Sequence, residues 1–233
     1  MYTPSEKILD KYADLLVNFA LNSCKGIRKG EVVLLQVPEC AKPMLAALRR
    51  SVLKAGANAI TNYFPDDIDR EFYELANNEQ LDYFPSKLLR GRIDEIDHTI
   101  SIDADSNPKE LEGVDAKKIM RKSKAFRPYM EWRDEKENKG KFSWTLALYG
   151  TEAMAKEAGM SLEEYWNEII KGCYLDVNDS VKKWKEITKE IERIKDKLNK
   201  LEIEKLRIKA KDTDLIVGLG KDRKWVGGRG ANI

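Results

Sequence analysis

At 233 residues, with 42% hydrophobic and 35% charged side chains, the chain is long enough to bury a substantial core in one domain or one and a half. Its 42 basic and 40 acidic residues leave a formal charge of +2, which argues against a dedicated nucleic-acid surface and reads as solvated helix faces with local ion pairs. Three scattered cysteines, Cys24, Cys40 and Cys173, argue against a disulfide scaffold or zinc ribbon. No basic-then-apolar leader or membrane-length apolar run is present, so a soluble, cytoplasmic protein is expected.

In chain order, residues 5–24 predict a helix capped by Ser5, with Ile8, Leu9, Tyr12, Leu15, Leu16 and Phe19 on one face. Residues 31–37 form a buried-type strand. A helix with Pro43 in its first turn follows and ends at Gly56, and residues 57–64 form a second strand. This β-α-β unit predicts parallel pairing with a right-handed crossover. Residues 66–75 and 81–89 predict two further helices, and residues 99–103 a third strand. A helix over 115–132 precedes a charged loop at 134–141 and a fourth strand at 142–149. The fold class is therefore α/β, with a mostly parallel sheet flanked by helices.

Ser161 and Glu164 form a capping-box pattern ahead of the next helix. A long helix opens at Asp179 or Ser180, with Val181, Trp184, Ile187, Ile191, Ile194, Leu198 and Leu201 as its apolar positions. The last five repeat at heptad spacing over only about two heptads, which predicts an amphipathic helix packed along the domain rather than a coiled coil. Residues 215–219 read as a strand. Trp225-Val226 reads as the start of its partner, and Gly227-Gly228-Arg229-Gly230 as a turn. A sheet that opens so late in a chain either pairs back onto earlier structure or belongs to a longer polypeptide.

The loop 38–43 stands where open α/β sheets dock nucleotides, but it lacks the glycines that admit a pyrophosphate. Cys40 with Lys42 is a candidate thiolate, against the plainer reading of a packed cysteine. Asp103 and Asp105, at a strand's carboxyl end, are candidate divalent-ion ligands, against the plainer reading of turn caps. His98 is the only histidine, and beside Asp97 it reads as structural. From these residues alone no active site emerges.

Three stretches together resemble the M29 metallo-aminopeptidases. The first comprises Lys11-Tyr12-Ala13-Asp14-Leu15-Leu16-Val17, Lys29-Gly30-Glu31-Val32-Val33-Leu34-Leu35, and Leu45 on to Ala55-Gly56-Ala57. The second covers residues 145–155 with Tyr165-Trp166 and Ile169. The third pairs Thr213-Asp214-Leu215 and Val217-Gly218-Leu219 with Trp225-Val226-Gly227-Gly228. The resemblance implies a homodimeric enzyme acting on peptide substrates with two divalent metal ions, of zinc or cobalt type. It implies that every metal ligand lies beyond Ile233, because Asn232-Ile233 matches the opening of the segment before the first ligand. No catalytic, cofactor-binding or metal-binding residue is therefore expected in this chain, and the chain alone is expected to be inactive. Residues 1–206 would be the N-terminal α/β domain, with residues 207–233 starting a truncated catalytic domain. The alternative is a free-standing, non-catalytic α/β binding or assembly module. Nucleic-acid and membrane partners are not expected.

Overall fold

The computed structural model describes residues 2–227, in two compact units, one running to Val181 and the other beginning at Lys182. In the first unit, α1 (Glu6–Leu15) is capped by Ser5, whose Oγ accepts from the Ile8 amide, and it buries Leu9, Tyr12, Ala13 and Leu15. The helix continues as a π-turn over Leu16–Ala20 and stops there, short of the residue-24 limit predicted from its apolar face. The stop has a steric cause. Asn22, Ser23 and Cys24 take positive φ, and Gly26 at φ +74° lies so close to Asn18 that a Cβ would sit 2.5 Å from its carbonyl carbon.

Strand β1 (Val32–Pro38), α2 (Lys42–Lys54) and β2 (Asn58–Phe64) form the expected β-α-β unit, with parallel pairing in register Val33 to Ala59. Gly56, at φ +76°, turns the chain from α2 into β2. Three helices follow rather than two: α3 (Asp69–Leu75), α4 (Asn78–Asp82) and α5 (Ser86–Glu95). An Asn77–Gln80 capping box starts α4, and Pro85 separates α4 from α5. Next come β3 (His98–Asp103), α6 (Ala116–Ala125), α7 (Arg127–Asn138), β4 (Ser143–Leu148), α8 (Glu152–Glu157) and α9 (Leu162–Gly172). The capping box on α9 is present as predicted, with Glu164 and Ser161 bonded reciprocally.

Residues 134–138, expected in a loop, are helical instead. Pro128 seeds α7 in its first turn, and the pairs Arg127–Glu131 and Glu135–Lys139 lie one helical turn apart. The sheet order is β2-β1-β3-β4, and every pairing is parallel. Leu35, Val37, Met44 and Leu48 are buried between α2 and β1, while Leu34 packs on the other face with Ile93, Ile96 and Phe142.

The second unit is built on α10 (Ser180–Asn199), followed by β5 (Lys205–Ala210) and β6 (Thr213–Gly218). None of the apolar side chains of α10 is fully buried, and Ile194 is 47% exposed. The partner of β6 is the upstream β5, paired antiparallel across Lys211-Asp212, with Asp212 at φ 60°. Trp225-Val226 is not a strand. Its backbone is held by the Asn199 side chain, which donates to the Trp225 carbonyl (2.9 Å) and accepts from the Trp225 amide (2.8 Å). The expected turn at 227–230 lies largely outside the described residues, as does Asn232-Ile233. Among the described residues no helix is long and apolar enough to cross a membrane.

Candidate functional site

The strand order reverses direction between β1 and β3, so the carboxyl ends of these strands flank the crevice where open α/β sheets hold ligands. Cys40 follows β1, Asp66 follows β2, Asp105 follows β3, and Tyr149 and Thr151 follow β4. The Cys40 thiol is hydrogen-bonded to the Asp66 side chain, with Asp105 also near enough to act on it. Burial first, and then these carboxylates, push the thiol up to about 11. A thiol so placed stays protonated at neutral pH and is no nucleophile. The surroundings favour the plainer reading of Cys40 as a packed cysteine over a thiolate with Lys42: the fold sets acids against the sulfur.

Asp105 accepts from the Asn107 amide at 2.8 Å, the turn-forming use expected of it. Its carbonyl accepts from the Thr151 hydroxyl, and Thr151 also caps α8 by accepting from the Met154 amide. Trp166, fully buried on α9, donates to the Gly150 carbonyl at 3.0 Å and meets the Tyr149 ring edge-to-face at 5.0 Å. Gly150 permits this approach, since a Cβ there would lie 2.8 Å from the Tyr165 ring. Against this corner lies a cleft of about 260 Å³, bordered by Tyr2, Pro4, Cys40, Tyr149, Thr151 and Trp166, among others.

His98 sits at the opposite, amino edge of the sheet and is 5% exposed. Its Nε2 meets Glu31 at 2.9 Å and its Nδ1 meets the Ser143 hydroxyl at 2.9 Å, while that hydroxyl oxygen accepts from the Asn22 amide. The neutral Nε2–H tautomer satisfies all of these bonds. The order serine, imidazole, carboxylate is that of a hydrolytic triad, but the network ties the exit of the first helix to β1, β3 and β4. Both ring nitrogens of this histidine are thus engaged by side chains of the fold.

Burial would raise the Glu31 carboxyl, but hydrogen bonds from His98 and the Arg28 amide, with the charge of Arg28, outweigh it and hold the group below the usual carboxylate range. A depressed folded-state value gives stability that is complete above the unfolded carboxylate range and lost as pH falls through the lower folded value. Replacing Glu31→Gln should therefore flatten the acid side of the stability profile, read by urea unfolding at successive pH values. An unchanged acid slope in the variant would contradict this role.

Both nitrogens of His98 are taken, and no group of three or more His, Cys, Asp or Glu among the described residues is placed to hold a metal. The residues described do not fit a metal centre.

Fold and crevice together define a parallel α/β protein without a glycine-rich phosphate loop. The chain belongs to the thermophilic metalloprotease (M29) family, whose sequence profile matches residues 5–233. It is 26% identical to aminopeptidase AmpS of Bacillus subtilis over 234 residues, covering 96% of this chain and 56% of that protein. It is 27% identical to aminopeptidase T of Thermus thermophilus, covering 94% of this chain and 55% of that one. The structure of wild-type AmpT from Thermus thermophilus shares its fold, with a TM-score of 0.71 at 23% identity over 91% of this chain and 53% of the other. The chain spans about half the length of the curated relatives it matches.

Proposed function

We propose that this chain forms the α/β wall and scaffold of a metal-dependent aminopeptidase that releases N-terminal residues from peptides. In this reading the enzyme is a cytoplasmic homodimer. Its two divalent ions, of zinc or cobalt type, are held by residues that the relatives carry beyond the stretch matched here. Such ions, when bound, activate water and polarise the scissile carbonyl. Residues 1–206 serve as the supporting domain, and residues 207–233 lead into the catalytic part.

The observation that carries this reading is the family match along residues 5–233, set beside relatives nearly twice as long whose names are aminopeptidases. The occupied ring of His98 adds support, because it leaves the chain without a free imidazole. The test is hydrolysis of leucine p-nitroanilide by the purified chain with zinc or cobalt added. No cleavage above the metal-only background is expected. Robust, chelator-sensitive cleavage would overturn the reading.

A further inference from the structure

We infer that β2, at the open edge of the sheet, pairs antiparallel with β2 of a second copy of this chain and joins the two parallel sheets into one. The inference rests on the homodimer reading above for the number of copies and on the strand itself for the surface.

Among the described residues β2 has one neighbouring strand, β1. The Asn58 amide donates to the Glu31 carbonyl at 2.8 Å, so strand alternation turns the backbone of Asn58, Ile60, Asn62 and Phe64 toward β1. The amides and carbonyls of Ala59, Thr61 and Tyr63 point out from the edge. Such an edge is ordinarily blunted by lysine, proline or a bulge. Here it is bare: residues 55–65 carry no charged side chain, in a chain where 35% are charged. The two other uncharged runs of ten residues, 15–24 and 142–151, supply core residues such as Leu16, Phe19, Phe142 and Ala147. The β2 run instead leaves Ile60, Tyr63 and Phe64 exposed. A long, uncharged, open strand is a template for another strand.

The charges at the two ends of β2 select the partner and the direction. Lys54 and Lys29 stand at its start, with Lys29 lying over Gly56, where a Cβ would be 3.1 Å from the lysine Cγ. Glu39, Asp66 and Asp67 stand at its end, the Glu39 carboxylate accepting from the Asp66 amide at 3.3 Å. None of these groups is in an ion pair among the described residues. Antiparallel pairing about a two-fold axis at Thr61 sets the basic end of each copy against the acidic end of the other, with Gly56 opposite Asp66. Parallel pairing would set like charge on like. The same axis places Ala59 opposite Tyr63, a small side chain beside a large one, and Thr61 opposite itself. The uncharged middle suits a surface that meets its own copy, since a charge near the axis would face its twin.

The test is the mass of the 233-residue chain in solution by light scattering as its concentration rises, with amide exchange read by NMR. A dimer of 26.8 kDa chains is expected, with the Ala59, Thr61 and Tyr63 amides slowing in step with its formation. Thr61→Lys changes an exposed side chain, so it should fold as the parent does by circular dichroism. It should raise the dissociation constant at least about tenfold, because like charges then meet at the axis. Lys54→Glu should weaken the dimer as well. A chain that stays monomeric at every concentration, or a dimer in which those three amides exchange freely, would overturn the proposal. An undiminished dimer in folded Thr61→Lys would overturn this surface and leave the homodimer reading standing. Should the variant fail to fold, the parent's amides decide alone.

Discussion

Replacing Trp166 with alanine is expected to lower the unfolding free energy by about 3–5 kcal/mol, the cost of removing a large aromatic from a closed core. Trp166 is fully buried, and three contacts converge on it. Its indole nitrogen donates to the Gly150 carbonyl, its ring meets Tyr149 edge-to-face, and Gly150 admits it by having no side chain. Truncation leaves a cavity and an unpaired carbonyl at once. Because the same contacts seat Tyr149 at the cleft, the variant should also disturb the cleft's lining. Urea unfolding followed by far-UV circular dichroism measures the effect. A loss under about 1 kcal/mol, the size of an average substitution, would mean that α9 does not hold the β4 exit in place.

Gly26→Ala should cost about 3 kcal/mol, the sum of two separate penalties. A left-handed backbone disfavours any Cβ by roughly 1–2 kcal/mol, and overpacking a rigid contact adds about 1–3 kcal/mol. Here the clash is with the backbone of Asn18, at 2.5 Å, so no side-chain rotation can relieve it. The Gly26 amide also donates to the Leu21 carbonyl, and Ile27 to Val17, closing the π-turn. The comparison that isolates the cause is Gly30→Ala, where φ is also positive but nothing lies within 4 Å of the added carbon. Equal losses at the two glycines, read by thermal unfolding, would show that close approach contributes nothing.

Much of this architecture is legible in the residues. Apolar runs bounded by turn formers mark β1 through β4, and Ser161 with Glu164 marks the start of α9. The failures have physical causes. Residues 134–138 look like a loop because they are charged throughout, although the spacing of Glu135 and Lys139 already suits a helix. Strand β5 escapes notice because Leu206, Ile208 and Ala210 alternate with basic residues and follow a long helix. Its period of two was present, yet Trp225-Val226 drew the partner assignment to the wrong side of β6.

The crevice is less legible still. Lys42 is the sequence neighbour of Cys40, but the β-α-β crossover delivers Asp66 from 26 positions away. His98 is the opposite case. A single histidine beside an aspartate, just ahead of a buried strand, reads as structural, and in the fold its two ring nitrogens bond to Ser143 and Glu31.

In the proposed reading the chain is the supporting α/β part of an M29 enzyme, and its described residues hold no metal ion. The most direct test is to dialyse the purified protein against zinc or cobalt, remove free ion, and count the metal retained per chain by elemental analysis. No stoichiometric retention is expected. One or two equivalents held through dialysis, released by a chelator, would contradict that reading.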